Sequence, residues 1–367
     1  MIMRQKAIIF HPALATYRVD FFNEIVEEFD AIIYFEYREQ FSKYYLSSKC
    51  NFTSQYLDKG FDLFGRGIRF GIYSIITKQK PDIIICSEYG STTLMVLFLS
   101  LFYKKKHKIY TLSDDSLENA KQRSGLRSFV RKLVSKKIDG IIFTSFDVSK
   151  WYQINVSIKP KALVLPIIRN EIVFRTELGG SLKTGDENLK LFNLIDRKVI
   201  LFVGRLEKEK NLSFLLNVVS KLKDNTLVLV IIGKGSLMLD LQKQALDLNF
   251  SERVHFLGNK EGNELLSWYN IAQLFILPSR FEPFGAVVNE ALLGGCYVLC
   301  SELAGASSLI TKENGDLFNP YKEQELLELV ENYLKIINPI GSQTLVLRES
   351  KMALNFYDHV KAVFENL

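Results

Sequence analysis

The residues LFILPSRFEPFGAVVNEALLGG, from Leu274 to Gly295, combine a strand, a loop and a helix. The apolar run LFIL predicts a strand that is buried on both faces, and Pro278 marks its end. A helix is predicted from about Gly285 to Leu293, because apolar residues fill it and two glycines stop it. A strand that leads directly into a helix is the repeating unit of a parallel sheet. This stretch therefore predicts an α/β fold.

The same alternation runs along the whole chain of 367 residues, a length that predicts two domains. Strands are predicted at 6–11, 31–37, 82–88, 108–113, 140–145 and 162–166, and again at 198–204, 226–233, 253–258, 273–279 and 296–301. The pattern loosens near Pro166, and the polar, glycine-bearing stretch 177–190 predicts a linker or a surface excursion. We predict two Rossmann-like domains that face a cleft, 1–170 and 171–345, followed by one or two amphipathic helices in 346–367.

Composition argues against several classes of protein. The four cysteines form no CxxC pair, which disfavours a zinc site or a disulfide framework and indicates a reducing compartment. The N-terminus lacks the long apolar region of a signal peptide, and the apolar run Leu94–Tyr103 is shorter than the roughly 20 residues that span a bilayer. No P-loop phrase, complete dinucleotide fingerprint or D-x-D metal phrase occurs. We expect a cytoplasmic protein, either free or peripheral on the inner face of the plasma membrane.

The mild net charge of +6 is concentrated in one segment. Between Lys121 and Lys137 there is no acidic residue, and basic residues alternate with apolar ones at helical spacing. This segment is interpreted either as the solvated face of a helix or as an amphipathic surface that binds anionic lipid. Nucleic-acid binding is not predicted, because no recognised nucleic-acid motif accompanies the charge.

Two glutamates in the opening stretch point to a ligand. Glu282 lies in the predicted loop, and Glu290 lies within the apolar helix, where a carboxylate is costly unless it has a partner. A sugar or ribose diol is such a partner, because two hydroxyls can donate to one carboxylate. The amides at the helix start make an anion site between them. The combination predicts a nucleotide-sugar; the alternative is a salt-bridged helix glutamate and a surface loop glutamate.

Two more phrases follow the ends of predicted strands. Arg205 and Lys210 come after Gly204, and two cations beside a glycine suit a diphosphate, although charged connections after strands are common. Gly233 and Gly235 follow the next strand in an incomplete glycine pattern that is often only a tight turn. Since ligands bind beyond the carboxyl ends of parallel strands, these residues are expected to lie close together.

Taken in order, VGRLEKEKN, IIGKGS, VHFLGN and LPSRFEPFGAVVNEALLGG resemble the family 4 retaining glycosyltransferases of the GT-B fold. The resemblance covers roughly Val199 to Pro320, and the N-terminal half matches in architecture and in YRVDFF. It implies transfer of a sugar from a UDP-, GDP- or ADP-sugar to a glycan or lipid-linked acceptor, in surface polysaccharide or glycolipid assembly. It implies no metal or other cofactor, and a final helix within 346–367 that packs back on the N-terminal domain.

The resemblance also implies roles for individual residues. Arg205 and Lys210 would hold the donor diphosphate and stabilise it as it leaves, while Glu282 would contact the sugar hydroxyls. Glu290 would bind the ribose hydroxyls. The rest of the donor pocket would be lined by Gly204, Gly233, Gly258 and the backbone of Phe284, Gly285 and Ala286.

Departures from the family pattern leave two roles open. The first loop reads HPALATYR, without a paired glycine, so Arg18 or the backbone of this loop is a candidate for the phosphate contact. LSDDS stands where many relatives have a histidine, so Asp114 or Asp115 either serves the acceptor or sugar, or caps a helix. The alternatives are an inverting enzyme or a sugar-nucleotide epimerase of the same fold, or a sugar-nucleotide-binding or membrane-surface module without transfer activity.

Overall fold

The computed structural model describes residues 4–37, 49–63, 66–103, 106–341 and 344–367. They belong to two compact units. Unit 1 comprises Met1–Ile167 together with Tyr357–Leu367, and unit 2 comprises Ile168–Phe356. Each unit contains a parallel sheet and the helices that cover it.

Unit 1 is built on a sheet with the strand order β3-β2-β1-β6-β7-β8-β9, in which neighbouring strands are parallel. Its elements are β1 (Lys6–His11), α1 (Val19–Glu28), β2 (Asp30–Phe35), β3 (Gln55–Tyr56), β4 (Asp58–Leu63), β5 (Arg66–Phe70), α2 (Ile72–Gln79), β6 (Ile83–Ser87), α3 (Ser91–Ser100), β7 (Lys108–Ser113), α4 (Leu117–Gln122), α5 (Gly125–Ser135), β8 (Gly140–Phe143), α6 (Phe146–Asn155) and β9 (Lys161–Val164). Strands β4 and β5 form a separate antiparallel ribbon. Within the described ranges, no helix is both long and apolar enough to cross a membrane.

Unit 2 has a second parallel sheet, with the order β12-β11-β10-β13-β14-β15. Its elements are α7 (Glu171–Gly180), α8 (Leu182–Leu191), β10 (Lys198–Val203), α9 (Leu212–Ser220), β11 (Leu227–Ile232), α10 (Met238–Asp247), β12 (Val254–Phe256), α11 (Gly262–Ile271), β13 (Leu274–Leu277), α12 (Ala286–Leu293), β14 (Tyr297–Ser301), β15 (Gly315–Phe318) and α13 (Glu323–Ile336). Counted within the unit, this order is 3-2-1-4-5-6, that of the dinucleotide-binding Rossmann sheet. The prediction of parallel strands at 198–204, 226–233, 253–258, 273–279 and 296–301 is confirmed.

The prediction of a linker at 177–190 is wrong, because this stretch lies in helices α7 and α8. Asn170 begins α7 by accepting hydrogen bonds from two backbone amides of its first turn. Leu178 and Leu189 are buried. Gly185 packs closely, since a Cβ there would lie 2.5 Å from the end of the Leu345 side chain. Tertiary packing therefore overrides the low helix propensity of the glycines.

The C-terminal residues are divided between the two units. Before the last helix, the chain stays with unit 2, where the Arg348 guanidinium donates to the carbonyls of Tyr269 and Gly294 at 2.8 and 2.9 Å. The last helix, α14 (Phe356–Phe364), packs its Phe364 ring on Phe21 and Phe29 of unit 1, with ring centroids 6.1 and 5.3 Å apart. The expected return to unit 1 thus involves residues 357–367, while 346–356 belong to unit 2.

The basic segment Lys121–Lys137 is divided between two helices, since α4 ends at Gln122 and α5 begins at Gly125. Its charges do not all lie on the protein surface. Arg131 is buried and donates to Asp115 at 2.7 Å, and Arg123 pairs with the same carboxylate. Two of the basic residues of this segment therefore hold the fold together.

The four cysteines are free thiols, of which Cys86, Cys296 and Cys300 are buried. Burial raises the pKa of Cys86 to about 12 and also raises the pKa values of Cys296 and Cys300. A protonated, buried thiol is a poor nucleophile and a poor metal ligand. These three cysteines therefore serve packing.

Candidate functional site

The strand order of unit 2 reverses between β10 and β13, and ligands of parallel sheets bind at such a point beyond the carboxyl ends of the strands. Three of the predicted glycines lie along this edge. The Gly204 amide donates to the carbonyl of Ile232 at 3.0 Å, and the Gly233 amide donates to the carbonyl of Gly258 at 2.7 Å. The loops after β10, β11 and β12 are therefore tied side by side.

Gly233 allows two of these loops to approach one another closely. Its φ is +145°, and a Cβ at this position would lie 1.8 Å from the carbonyl oxygen of Gly204. A backbone atom on another strand cannot yield as a flexible side chain can. Only glycine allows the two loops to approach this closely.

Gly233→Ala is expected to destabilise the protein by on the order of 3 kcal/mol and to abolish nucleotide binding, because the methyl group forces the Gly204 loop away. Denaturant unfolding and nucleotide titration measure the two effects. Gly179→Ala is the matched control: a Cβ there meets no atom within 4 Å. A Gly233→Ala variant as stable as wild type would contradict the close approach.

The loops after β10 and β13 are linked to one another across the switch point. Lys210, from the first loop, forms an ion pair with Glu282, from the second, and their side chains are 12% and 11% exposed. The amide of Arg280 donates to the carbonyl of Glu209 at 2.9 Å. Two residues predicted to act on one ligand are therefore in direct contact.

Arg205 lies on the first of these loops but is oriented differently. Its side chain is 72% exposed, and its guanidinium lies 2.9 Å from the Glu209 carboxylate. An exposed pair of this kind is weak and easily exchanged for another anion. Arg205 is therefore available to bind a phosphate. Lys210 can bind one only if it leaves Glu282 or contacts both anions at once.

The loop before α12 is held so that the helix start faces the same edge. The carbonyls of Glu282 and Phe284 accept amide hydrogen bonds from Gly305 and Ala306, at 3.2 and 2.7 Å. Gly285, at φ +95°, is the N-cap. The first amides of a helix have no acceptor within it and carry partial positive charge, which favours an anion. The backbone of Phe284, Gly285 and Ala286 thus forms the end of a potential anion site.

Glu290, on α12, has a protein partner that the sequence pattern did not reveal. The Tyr269 hydroxyl donates to Glu290 Oε2 at 2.8 Å, and the Arg169 guanidinium lies 3.9 Å from Oε1. Burial is the main cause that raises the pKa of Tyr269, so this hydroxyl keeps its proton. An ionised carboxylate accepts hydrogen bonds at about four lone-pair sites.

In unit 1, the strand order reverses between β1 and β6, and a second cluster lies at the carboxyl ends of β1, β6 and β7. Arg18 is buried and forms an ion pair with the partly exposed Asp114. Asp115 is buried between Arg123 and Arg131, and the N-cap of α4 is Ser116, whose hydroxyl accepts from an amide at 3.2 Å. Asp115 therefore stabilises the fold of unit 1. Asp114 lies at the carboxyl edge of the sheet and is partly exposed.

Sequence reasoning missed Glu88 and His11 at the same edge. Glu88 has φ +52°, and its backbone is held by Leu112 and Thr93, at 2.7 and 2.9 Å. Burial raises its pKa, which Arg123 opposes. Burial and Arg18 lower the pKa of His11 to about 4, so it is neutral at pH 7. The position of Glu88, at the end of a predicted strand, was the available signal.

Within the ranges that the structure describes, no group of three or more His, Cys, Asp or Glu side chains is arranged to hold a metal ion. The glutamates Glu209 and Glu282 at the unit 2 edge are instead paired with Arg205 and Lys210.

Comparison with known proteins finds similarity to glycosyltransferases, mainly in unit 2. Residues 187–338 match the family model of group 1 glycosyl transferases. An uncharacterised glycosyltransferase of Methanocaldococcus jannaschii is 36% identical over 119 residues, which are 32% of this chain and 30% of that relative. An uncharacterised 41.2 kDa protein of the cps region of Klebsiella pneumoniae is 26% identical over 272 residues, 71% of this chain and 72% of that protein.

Solved structures match over nearly the whole chain. The Anabaena protein HepE in complex with UDP aligns with a TM-score of 0.77 at 15% identity, covering 98% of this chain and 99% of that one. At this identity the likeness shows the fold, so the predicted GT-B fold is confirmed. The residues from Gly204 to Glu290, which carry the candidate donor site, all lie within the family-model match.

Proposed function

We propose that this protein is a retaining glycosyltransferase of the EC 2.4 class, which moves a sugar from a nucleoside-diphosphate sugar to an acceptor hydroxyl. The observation that carries the proposal is the contact between Lys210 and Glu282 at the switch point of a Rossmann sheet. A cation for the diphosphate and a carboxylate for the sugar thus share one edge with the start of α12. The UDP complex of the structural relative HepE supports a donor of this class.

The diphosphate is proposed to lie against the start of α12, with Arg205 and Lys210 on its oxygens. As the bond to the sugar breaks, negative charge grows on the departing diphosphate while the sugar becomes oxocarbenium-like. Fixed positive groups therefore stabilise the transition state more than the bound donor, which is the condition for raising the turnover rate.

The two glutamates are proposed to position the ends of the donor. When phosphate draws Lys210 away, the Glu282 carboxylate becomes available to sugar hydroxyls. Glu290 would accept the ribose hydroxyls while Tyr269 holds its orientation from the other side. Each role uses a carboxylate as an acceptor of hydroxyl hydrogen bonds.

Transfer is proposed to proceed without a metal or another cofactor. The charge that a divalent cation would supply to the diphosphate comes, in this proposal, from Arg205, Lys210 and the amides at the start of α12. Chelation of divalent cations is accordingly expected to leave donor binding unchanged.

The acceptor is proposed to be a glycan or a lipid-linked sugar held by unit 1, where the carboxylates of Asp114 and Glu88 lie at the carboxyl edge of the sheet. We propose a part in surface polysaccharide or glycolipid assembly, as the family resemblance of the sequence implies. We further propose a cytoplasmic location, peripheral on the inner face of the plasma membrane, with the segment Lys121–Lys137 towards anionic lipid.

A thermal-shift series with UDP, GDP, ADP and their sugars tests the donor site. One nucleotide is expected to raise the melting temperature of the wild type, with or without EDTA. Glu290→Ala and Arg205→Ala are expected to lose that shift, because each removes a donor contact. Glu328→Ala, an exposed glutamate on α13, is the control and should respond as wild type does.

Two results would overturn this assignment. If no nucleotide stabilises the wild type, or if both variants respond like the control, the glutamates are structural. A shift that disappears with EDTA would instead refute the metal-free donor site. Binding without any transfer to glycan or lipid-linked acceptors would favour a sugar-nucleotide-binding module.

A further inference from the structure

Helix α3 presents an apolar face to solvent. Phe98 is 60% exposed, and Leu94 lies on the same face one turn earlier. Leu101 and Phe102, the two residues that follow the helix, are 75% and 67% exposed. The rings of Phe98 and Phe102 pack on one another, with centroids 5.4 Å apart. The opposite face of α3 is buried through Val96. A helix that is apolar on both faces is normally covered on both.

Helix α5 repeats this feature with positive charge added. Phe129 and Leu133 are 58% and 49% exposed, and the exposed Lys132 and Lys136 share their face at helical spacing. Val134 and the buried Arg131 face inwards. An ordinary solvated helix exposes mainly polar residues, whereas this outward face combines two large apolar residues with two lysines.

The two faces belong to one surface of unit 1. Strands β6, β7 and β8 are adjacent and parallel, so right-handed crossovers place α3 and α5 on the same side of the sheet. Val96 of α3 and Val134 of α5 are members of the same buried core. The exposed residues Leu94, Phe98, Leu101, Phe102, Phe129, Lys132, Leu133 and Lys136 are called the α3–α5 face from here on.

We propose that the α3–α5 face docks on an anionic lipid bilayer, with its aromatic and aliphatic side chains in the interface and its lysines on the headgroups. Apolar area and basic charge together are what bind an amphipathic surface to anionic lipid. The surroundings suit this partner, because the sequence has no acidic residue from Tyr89 to Ser113 or from Asn119 to Ile138. In this proposal, α3 contacts the bilayer as well as the basic segment.

Charge argues against a second copy of this chain as the occupant. A twofold dimer built on this face would enclose four lysines, two from each copy, and the residues of the face supply no acidic partner for them, so like charges would repel. A bilayer of anionic lipid presents the opposite sign over a wide area. The proposal deepens the proposed function, on which it rests for a lipid-linked acceptor, while the docking itself requires no transfer.

Flotation of the full-length protein with vesicles tests the docking. The wild type is expected to float with phosphatidylcholine–phosphatidylglycerol vesicles at low salt, to bind less at high salt, and to remain behind with pure phosphatidylcholine. Lys132→Glu with Lys136→Glu is expected to weaken binding by at least about 25-fold, at roughly fivefold per lysine removed. Phe98→Gln with Phe102→Gln should weaken it by at least about tenfold.

Matched controls come from α10 in unit 2, where Leu239 and Leu246 are exposed and Lys243 lies between them. Leu239→Gln with Leu246→Gln, and Lys243→Glu, are expected to float like the wild type. Wild type that ignores anionic vesicles, or α3–α5 variants that bind like these controls, would overturn the proposal. The proposal would also fail if the phenylalanine variant had half the mass of the wild type in light scattering and floated unchanged, because this result would indicate that the face forms a dimer.

The same variants separate this proposal from the proposed function. Each should keep its nucleotide-dependent thermal shift, because the donor site lies in unit 2. Lipid binding by a protein that no nucleotide stabilises would remove the transferase proposal and keep the docking. Nucleotide binding without flotation would remove the docking and keep the transferase proposal.

Discussion

Lys210→Ala and Arg205→Ala are each expected to lower turnover by roughly 10²-fold or more, the scale observed when one preorganised charge donor is lost from an active site. In the proposed reaction both cations stabilise the diphosphate as it leaves. The assay is the initial rate of nucleoside-diphosphate release, with the donor identified by thermal shift. Lys208→Ala is the control, because this exposed lysine lies in the same short turn as Lys210.

The two variants should differ in stability. Arg205 is largely exposed, so its removal should change the free energy of unfolding by no more than about 0.5 kcal/mol. Removing Lys210 leaves the mostly buried Glu282 carboxylate without its cation, which should destabilise the protein. Near-wild-type turnover in either variant, or a slow Lys208→Ala, would remove the proposed role.

Arg131→Ala is expected to destabilise unit 1 by about 3–5 kcal/mol, the usual consequence of removing one partner from a buried ion pair. Asp115 and Arg131 are 1% and 2% exposed, and the guanidinium also lies 4.7 Å from the centre of the Tyr152 ring. Truncation removes both contacts and leaves a buried carboxylate with Arg123 as its remaining partner.

The neighbouring Lys132→Ala is the control for this loss, since an exposed lysine should change stability by no more than about 0.5 kcal/mol. Chemical denaturation measures both variants. Adding Asp115→Asn to Arg131→Ala should restore part of the stability, because it removes the buried carboxylate charge that Arg123 alone then compensates. Equal stability of the two single variants would show that Arg131 belongs to the surface after all.

The sequence was sufficient for the parallel α/β architecture and for most strands of both sheets. Strands covered on both faces are continuous apolar runs, and the turns that end them carry glycine, proline or charge, so both signals are local. Glu282 and the start of α12 could be placed at a strand end for the same reason. The same local signals mispredicted the stretch 177–190 as a linker, because its glycines lie in helices that packing stabilises.

Contacts between distant residues were decided by the tertiary structure. Lys210 and Glu282 are 72 positions apart, and they meet because β10 and β13 are neighbours where the strand order reverses. Glu290 accepts a hydrogen bond from Tyr269 on another helix, and Arg131 turns inwards to Asp115. Helical spacing describes one element, whereas a charged side chain takes its surroundings from several elements. The sequence therefore determined where chemical groups follow strands, and only the folded chain decided which of them are paired, buried or exposed.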